Sequence, residues 1–148
     1  MIHPSLKEFA DRMSSIIPVI FRELARRQTN ELAQGKISLP QFLILDFLNS
    51  LGELKMSDIA KHMRVTTAAM TGMVDRLVCC GYAERLSVPN DRRVIKIKAT
   101  VKGIELVKRI YQQRRQMIID IFGQLSQQDR ENYLKILTQI YGVISKGK

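Results

Sequence analysis

Between Ser57 and Gly81 the chain reads SDIAKHMRVTTAAMTGMVDRLVCCG, two helical patterns separated by only a few residues. Ile59, Ala60 and Met63 mark the inner side of a first, brief helix that Ser57 is placed to cap. Thr66 can cap a second, running from Thr67 to about Cys80, and Gly81 suits its C-terminal stop. In this second helix Met70, Met73, Val74 and Leu77 supply an inward face, so Thr67, Ala68, Thr71, Gly72 and Asp75 fall on the opposite side at i, i+3 and i+4 spacing. That outward face is small at its N-terminal end.

The flanking segments complete the pattern. From Leu6, the residues Phe9, Met13, Ile16, Ile17, Ile20, Phe21 and Leu24 predict one long amphipathic helix over residues 5 to 32, with Pro18 expected to kink it or break it near Ser14 and Ser15. Ser38, Leu39 and Pro40 open a second helix that runs to Gly52 and is apolar on nearly all sides, the mark of a buried element. Downstream, Tyr82 to Ser87 and Val94 to Ala99 predict a hairpin. Ile95, Ile97 and Ala99 share one face and Lys96 and Lys98 the other, while Pro89-Asn90-Asp91-Arg92-Arg93 forms a basic tip. Thr100 can cap a long helix with a stripe through Ile104, Val107, Tyr111, Ile118, Ile121, Phe122 and Leu125, interrupted at Arg114 and Arg115. Ser126 with Asp129 restarts a last helix carrying Leu134, Leu137, Tyr141 and Ile144.

The expected fold is therefore mainly α with a small two- or three-stranded β wing, a winged helix-turn-helix with N- and C-terminal dimerisation helices. Residues 36–100 are expected to form the winged helix-turn-helix region, and 1–35 with 101–148 the helical dimerisation region. The terminal helices carry more apolar face than one small winged domain can cover, so pairing with a second copy is the economical expectation.

Charge narrows the partners. In 148 residues, 24 Lys and Arg stand against 14 Asp and Glu, a net charge of +10. A dimer would carry about +20, a field that draws polyanions. Nucleic acid leads as partner, with an anionic membrane surface second, although such a surface would call for basic residues opposite an apolar helix face and not on a hairpin tip. The start of the chain lacks the apolar core of a signal peptide, and apolar runs of nine residues such as MSSIIPVIF fall far short of the ~20 needed to span a bilayer. The only cysteines, Cys79 and Cys80, are adjacent, which excludes a conventional disulfide framework and fits a cytoplasmic, reducing location. There is no Ser/His/Asp signature, Gly-rich phosphate loop or metal-ligand spacing, and His3 and His62 supply too few ligands for a metal. An enzyme is not expected, and no cofactor or metal is implied.

A helix with a small outward N-terminal half suits the major groove, where Thr hydroxyls and Ala or Thr methyls can meet base edges. Thr67, Ala68, Thr71 and Gly72 are the candidates there, with Thr66 and the cations Lys61, Arg64 and Arg76 as neighbouring DNA-binding candidates. The competing reading is that this face packs on another helix and Gly72 permits the approach. The hairpin tip can reach an adjacent minor groove, whose negative potential favours arginine. Arg92 and Arg93 are the reaching residues and Asp91 a brace that accepts hydrogen bonds; a plain solvated turn is the alternative.

The block MSDIAKHMRVTTAAMTGMVDRLVCCGYAERL, the wing residues PNDRR and the ATVKG that opens the long helix resemble the MarR family of winged-helix transcriptional regulators over nearly the whole chain. The family's Asp-x-Arg wing signature falls on Asp91 and Arg93, so the resemblance implies that Arg93 inserts, Asp91 braces it, and Arg92 contacts a phosphate. It also implies a homodimer on a pseudo-palindromic double-stranded operator, commonly a repressor released by a small amphipathic or phenolic ligand. Two departures stand out: Arg64 occupies a turn position where Gly is common, and Ala99 replaces the usual Leu before Thr-x-x-Gly.

Two control sites are open to consideration. Cys79 and Cys80 could form a thiol- or metal-responsive switch, or serve as small buried residues. An effector crevice would be lined by Met13, Ile17, Phe42, Leu45 and Tyr111, each of which could equally be plain core.

Overall fold

The structure, a computed structural model, describes residues 5–27, 36–89 and 91–146, with the side chains of Arg92 and Arg93 outside that description. Its elements are α1 (Leu6–Arg26), α2 (Leu39–Leu51), β1 (Leu54–Lys55), α3 (Met56–Met63), α4 (Thr67–Cys79), β2 (Ala83–Val88), β3 (Asp91–Ala99), α5 (Val101–Phe122) and α6 (Gln127–Lys146). The strands form one antiparallel sheet in the order β1-β3-β2. Helix, strand, helix, helix and hairpin in this order make a winged helix-turn-helix. None of the described helices is long and apolar enough to cross a membrane.

The chain divides into two compact units, residues up to Gln112 and from Gln113 on. In the first, Ile37, Phe42, Ile44, Leu45, Leu48, Ile59, Met70, Val74, Leu77, Ile97, Leu106 and Ile110 make one buried cluster drawn from α2, α3, α4, the sheet and the first half of α5. Removing these side chains from water, at ~1.5 to 3 kcal/mol each, holds the short α3 and α4 in place. The apolar α2 contributes most, through Phe42, Ile44, Leu45 and Leu48, while its Leu39, Leu43 and Leu51 stay exposed in the single chain. The buried Gln41 is fully employed: its Oε1 accepts from Ser38 N at 2.9 Å and its Nε2 donates to Met73 O at 3.4 Å.

Local chemistry sets most boundaries. Ser38 and Gln41 form a capping box at α2, Thr66 Oγ1 accepts from Ala69 N at 3.2 Å, and Thr100 Oγ1 accepts from Gly103 N at 3.1 Å while donating to Gly81 O at 2.6 Å. Ser126 Oγ accepts from Asp129 N at 3.1 Å and donates to its carboxylate at 2.6 Å. Ser57 is not a cap: α3 starts one residue earlier, with Lys55 at the cap position and no side-chain hydrogen bond there. The chain enters α3 directly from β1, whose Leu54 and Lys55 pair with Ile97 and Lys96, so the strand and not a side chain fixes the entry.

Further differences concern α1 and the wing. Pro18 lies inside an unbroken α1, with Ser15 Oγ donating to Arg12 O at 2.8 Å one turn before it; the expected extension beyond residue 27 falls outside the described residues. α5 runs through Arg114 and Arg115 as the one long helix expected, with only its apolar stripe lapsing there. β3 begins at Asp91, so Arg92 and Arg93 belong to the strand and not to a free tip. Ser87 pairs with Ile95 but Val88 with Asp91, so one step on β2 spans four on β3 and residues 92–94 bulge. Ile97 and Ala99 are buried, but Ile95 is exposed because the wing outruns the core there.

In the second unit, Phe122 and Tyr133 pack with ring centroids 5.2 Å apart, and Ile118, Leu134, Leu137 and Arg130 complete a shallow cleft with them.

Candidate nucleic-acid interface

Helix α4 is the centre of the candidate site. Met70, Val74 and Leu77 are buried and Met73 packs beside them, which turns Thr67, Ala68, Gly72 and Asp75 outward, with Thr71 half-buried at the edge. A Cβ placed on Gly72 would meet nothing within 4 Å, so among the described residues this face is not packed on another helix. Thr71 Oγ1 donates to Thr67 O at 2.8 Å. With its hydrogen engaged, the hydroxyl presents lone pairs to the outside and acts as an acceptor, suited to the exocyclic amino group of adenine or cytosine. Thr66 spends a lone pair on its cap and keeps its hydrogen for an external acceptor.

The wing stands beside this helix. Arg85 on β2 donates to Asp75 on α4, an ion pair that ties the strand to the outward face of the helix. The sequence pattern did not single out Arg85: it pairs with the buried Ile97 and shares a face with Ala83, a face that alternation assigns to the core. Lys55, Ser57, Thr67, Thr71, Arg85, Val94 and Ile95, with Met56, line a cleft of about 410 Å³ between the start of α3, α4 and the wing. Two cations and three hydroxyls thus converge where α4 and the sheet meet. Asp91 is exposed at the start of β3, and Glu53 braces the sheet from β1's side through an ion pair with Lys96 at 2.6 Å. The Lys96 hydrogen bond and charge, with a further pull from Lys98, hold the Glu53 carboxyl below its ordinary range.

Lys61 and Arg64 are exposed around the turn between α3 and α4, and Arg76 is exposed near the end of α4. Arg64 has φ 54° and ψ 42°, the one non-glycine with positive φ among the described residues. A left-handed L-residue costs roughly 1 to 2 kcal/mol. The turn holds it through Arg64 N to Lys61 O at 3.2 Å and Val65 N to Ala60 O at 3.1 Å.

The remaining candidates are distributed differently. Phe42 and Leu45 are core residues, and Tyr111, 47% exposed with Phe42 edge-on at 5.7 Å, donates to Asp46 Oδ2 at 2.8 Å. Met13 and Ile17 lie one turn apart on α1, both partly exposed. Cys79 is exposed and Cys80 half-buried against the core, both as free thiols. Among the described residues no group of three or more His, Cys, Asp or Glu could hold a metal.

A family model described as MarR family matches residues 37–95, the stretch that contains α2 to the bulged part of β3. The multiple antibiotic resistance protein MarR of Salmonella typhimurium is 30% identical over 113 residues, covering 72% of this chain and 78% of that protein. The crystal structure of YusO from Bacillus subtilis superimposes with a TM-score of 0.83 at 22% identity, over 94% of this chain and 99% of that one. Streptococcus pneumoniae FabT, whose structure is in complex with DNA, gives a TM-score of 0.76 at 22% identity, over 94% and 99%.

Proposed function

The chain belongs to the MarR family of DNA-binding transcriptional regulators and is not an enzyme, and from that premise we propose that it acts as a homodimeric repressor on a pseudo-palindromic operator. The observation that carries the DNA reading is the unpacked, small outward face of α4 beside a basic wing. Thr67, Ala68, Thr71 and Gly72 read base edges in the major groove; Lys61, Arg64, Thr66, Arg76 and Arg92 contact phosphates; Arg93 enters the minor groove with Asp91 as its brace. The DNA-bound structure of FabT, a protein of similar fold, supports this mode.

A dimer is supported by the terminal helices. No residue of α1 or α6 is buried in the single chain, and Phe9, Ile16, Ile20 and Phe21 on α1 and Leu134, Ile140, Tyr141, Val143 and Ile144 on α6 are exposed. Apolar surface of that extent belongs against a partner. We place residues 1–35 and 101–148 in this dimerisation region and 36–100 in DNA binding. Release by a small amphipathic or phenolic ligand completes the proposal, with Met13, Ile17 and Tyr111 as accessible contacts and Phe42 and Leu45 as the wall behind. The two free thiols support a cytoplasmic location.

The test is a comparison of base preference. Thr71→Val and Ala68→Ser should change which operator variants bind best, whereas Lys61→Ala should weaken all duplexes alike and reduce the salt slope by ~1. Equal loss on every sequence from all three changes would refute groove reading by α4.

A further inference from the structure

Two helices of this chain end in the same way. At the end of α4, Gly81 has φ 75°, its N donates to Val78 O at 2.9 Å and Tyr82 N donates to Leu77 O at 2.8 Å. At the end of α3, Arg64 takes the same left-handed position, with the matching pair of bonds to Lys61 O and Ala60 O. Glycine is the residue such a stop favours. An arginine there carries a backbone cost that glycine would not.

That side chain borders an open cleft of about 440 Å³ lined by Asp58, Lys61, His62 and Arg64. Asp58 lies one helical turn before Lys61 and His62 on α3, yet neither Lys61 nor Arg64 forms an ion pair or hydrogen bond through its side chain among the described residues. The His62 ring rests against Phe47, centroids 4.6 Å apart, which steadies it from the α2 side. Two cations without an ion pair, an imidazole and one carboxylate thus line one cleft, next to the turn that leads into α4.

Resting on the DNA reading above, we infer that these residues form a seat for one phosphate of the duplex backbone. Lys61 and Arg64 supply charge-assisted hydrogen bonds, and His62 supplies a third donor. Asp58 is the restraining member: its carboxylate faces the same cleft and repels the phosphate, which keeps non-specific affinity down. The bound group is a duplex phosphate because the turn lies two residues before the Thr66 cap of α4, where a helix in the major groove has the flanking backbone beside it.

The experiment measures binding of the full chain to its selected operator and to an unrelated duplex over a series of salt concentrations, with melting temperatures in parallel. Asp58→Asn should tighten both duplexes about threefold or more, and His62→Leu, which removes the donor and keeps an apolar contact for Phe47, should loosen both by a similar factor. Glu105→Gln, an equal change in charge at an exposed site on α5, should move neither by as much as about 1.5-fold. Arg64→Gly should weaken both and lower the salt slope by ~1 while melting no lower than the wild type. Asp58→Asn matching the Glu105→Gln control, together with a silent His62→Leu, would overturn the seat while leaving the DNA reading intact. A lower melting temperature for Arg64→Gly would make Arg64 structural and overturn it too. Inorganic phosphate at constant ionic strength should leave melting unchanged; a rise lost in Arg64→Gly would assign the cleft to free phosphate instead. Wild-type protein that binds neither duplex at low salt would overturn the DNA reading itself.

Discussion

Gly103 and Gly72 both sit inside helices, yet Ala should have opposite effects at the two. At Gly103 in the first turn of α5, a Cβ would fall under 3.0 Å from the Tyr82 carbonyl oxygen, 3.0 Å from its carbon and 3.3 Å from Leu45 Cδ2. The obstruction is backbone, and it is the carbonyl that accepts from Thr100 N at 3.0 Å. Making room means lifting the start of α5, which strains that bond and the Thr100 Oγ1 bond to Gly81 O. Overpacking costs ~1 to 3 kcal/mol and a weakened hydrogen bond ~1 kcal/mol, against ~1 kcal/mol regained from the helix propensity of Ala. The net is a destabilisation of about 2 kcal/mol, a fall of roughly 4 to 8 °C in Tm for a chain of this size. At Gly72 the added Cβ meets nothing within 4 Å, so only the propensity gain of up to ~1 kcal/mol remains and Tm should rise by about 2 to 4 °C. Thermal unfolding by circular dichroism at one fixed protein concentration measures both. A Gly103→Ala variant as stable as wild type would refute the tight seating of α5 on the α4 to β2 turn.

Arg93→Ala should weaken operator binding at least about fivefold while Tm stays within ~1 °C, because its proposed partner is external; unchanged affinity in a filter-binding assay would remove Arg93 from the wing's role. Glu53→Gln should lower Tm slightly at neutral pH, with the difference closing in acid. Its folded pKa is depressed by Lys96, so the contribution is present above the unfolded value and lost as pH falls through the folded one; a gap that widens in acid would contradict the sign. Sedimentation equilibrium should find two chains per particle, and charge at Phe21 and Ile140 together (Phe21→Glu, Ile140→Glu) should reduce that to one; a wild-type monomer at micromolar concentration would contradict pairing through the terminal helices.

Features of this fold are legible in the sequence where their signal is local. Thr66, Ser38, Thr100 and Ser126 announced their helices because a cap bonds within three residues of itself. Ser57 misled because the start of α3 is fixed by β1, a strand of two residues whose partner lies more than forty positions away. The alternation from Val94 to Ala99 located β3, but alternation cannot foretell a bulge set by pairing, so the arginines were placed on a tip that the strand absorbs. Ile95 shows the same limit, since periodicity marks a face without showing where the core beneath it ends. Arg85 and Asp75 needed the packing of β2 on α4 before they could be paired. His62 and Asp58 became a site only once the turn at Arg64 had brought their surroundings together.

The central claim is that α4 and the wing read a defined duplex sequence. Selection of bound duplexes from a randomised pool by the purified, reduced protein at two salt concentrations tests it most directly. Enrichment of a pseudo-palindrome with half-sites about one helical turn apart, surviving at the higher salt, is the expected result. Recovery of unrelated sequences that all dissociate together as salt rises would contradict it and reduce the basic surface to non-specific attraction.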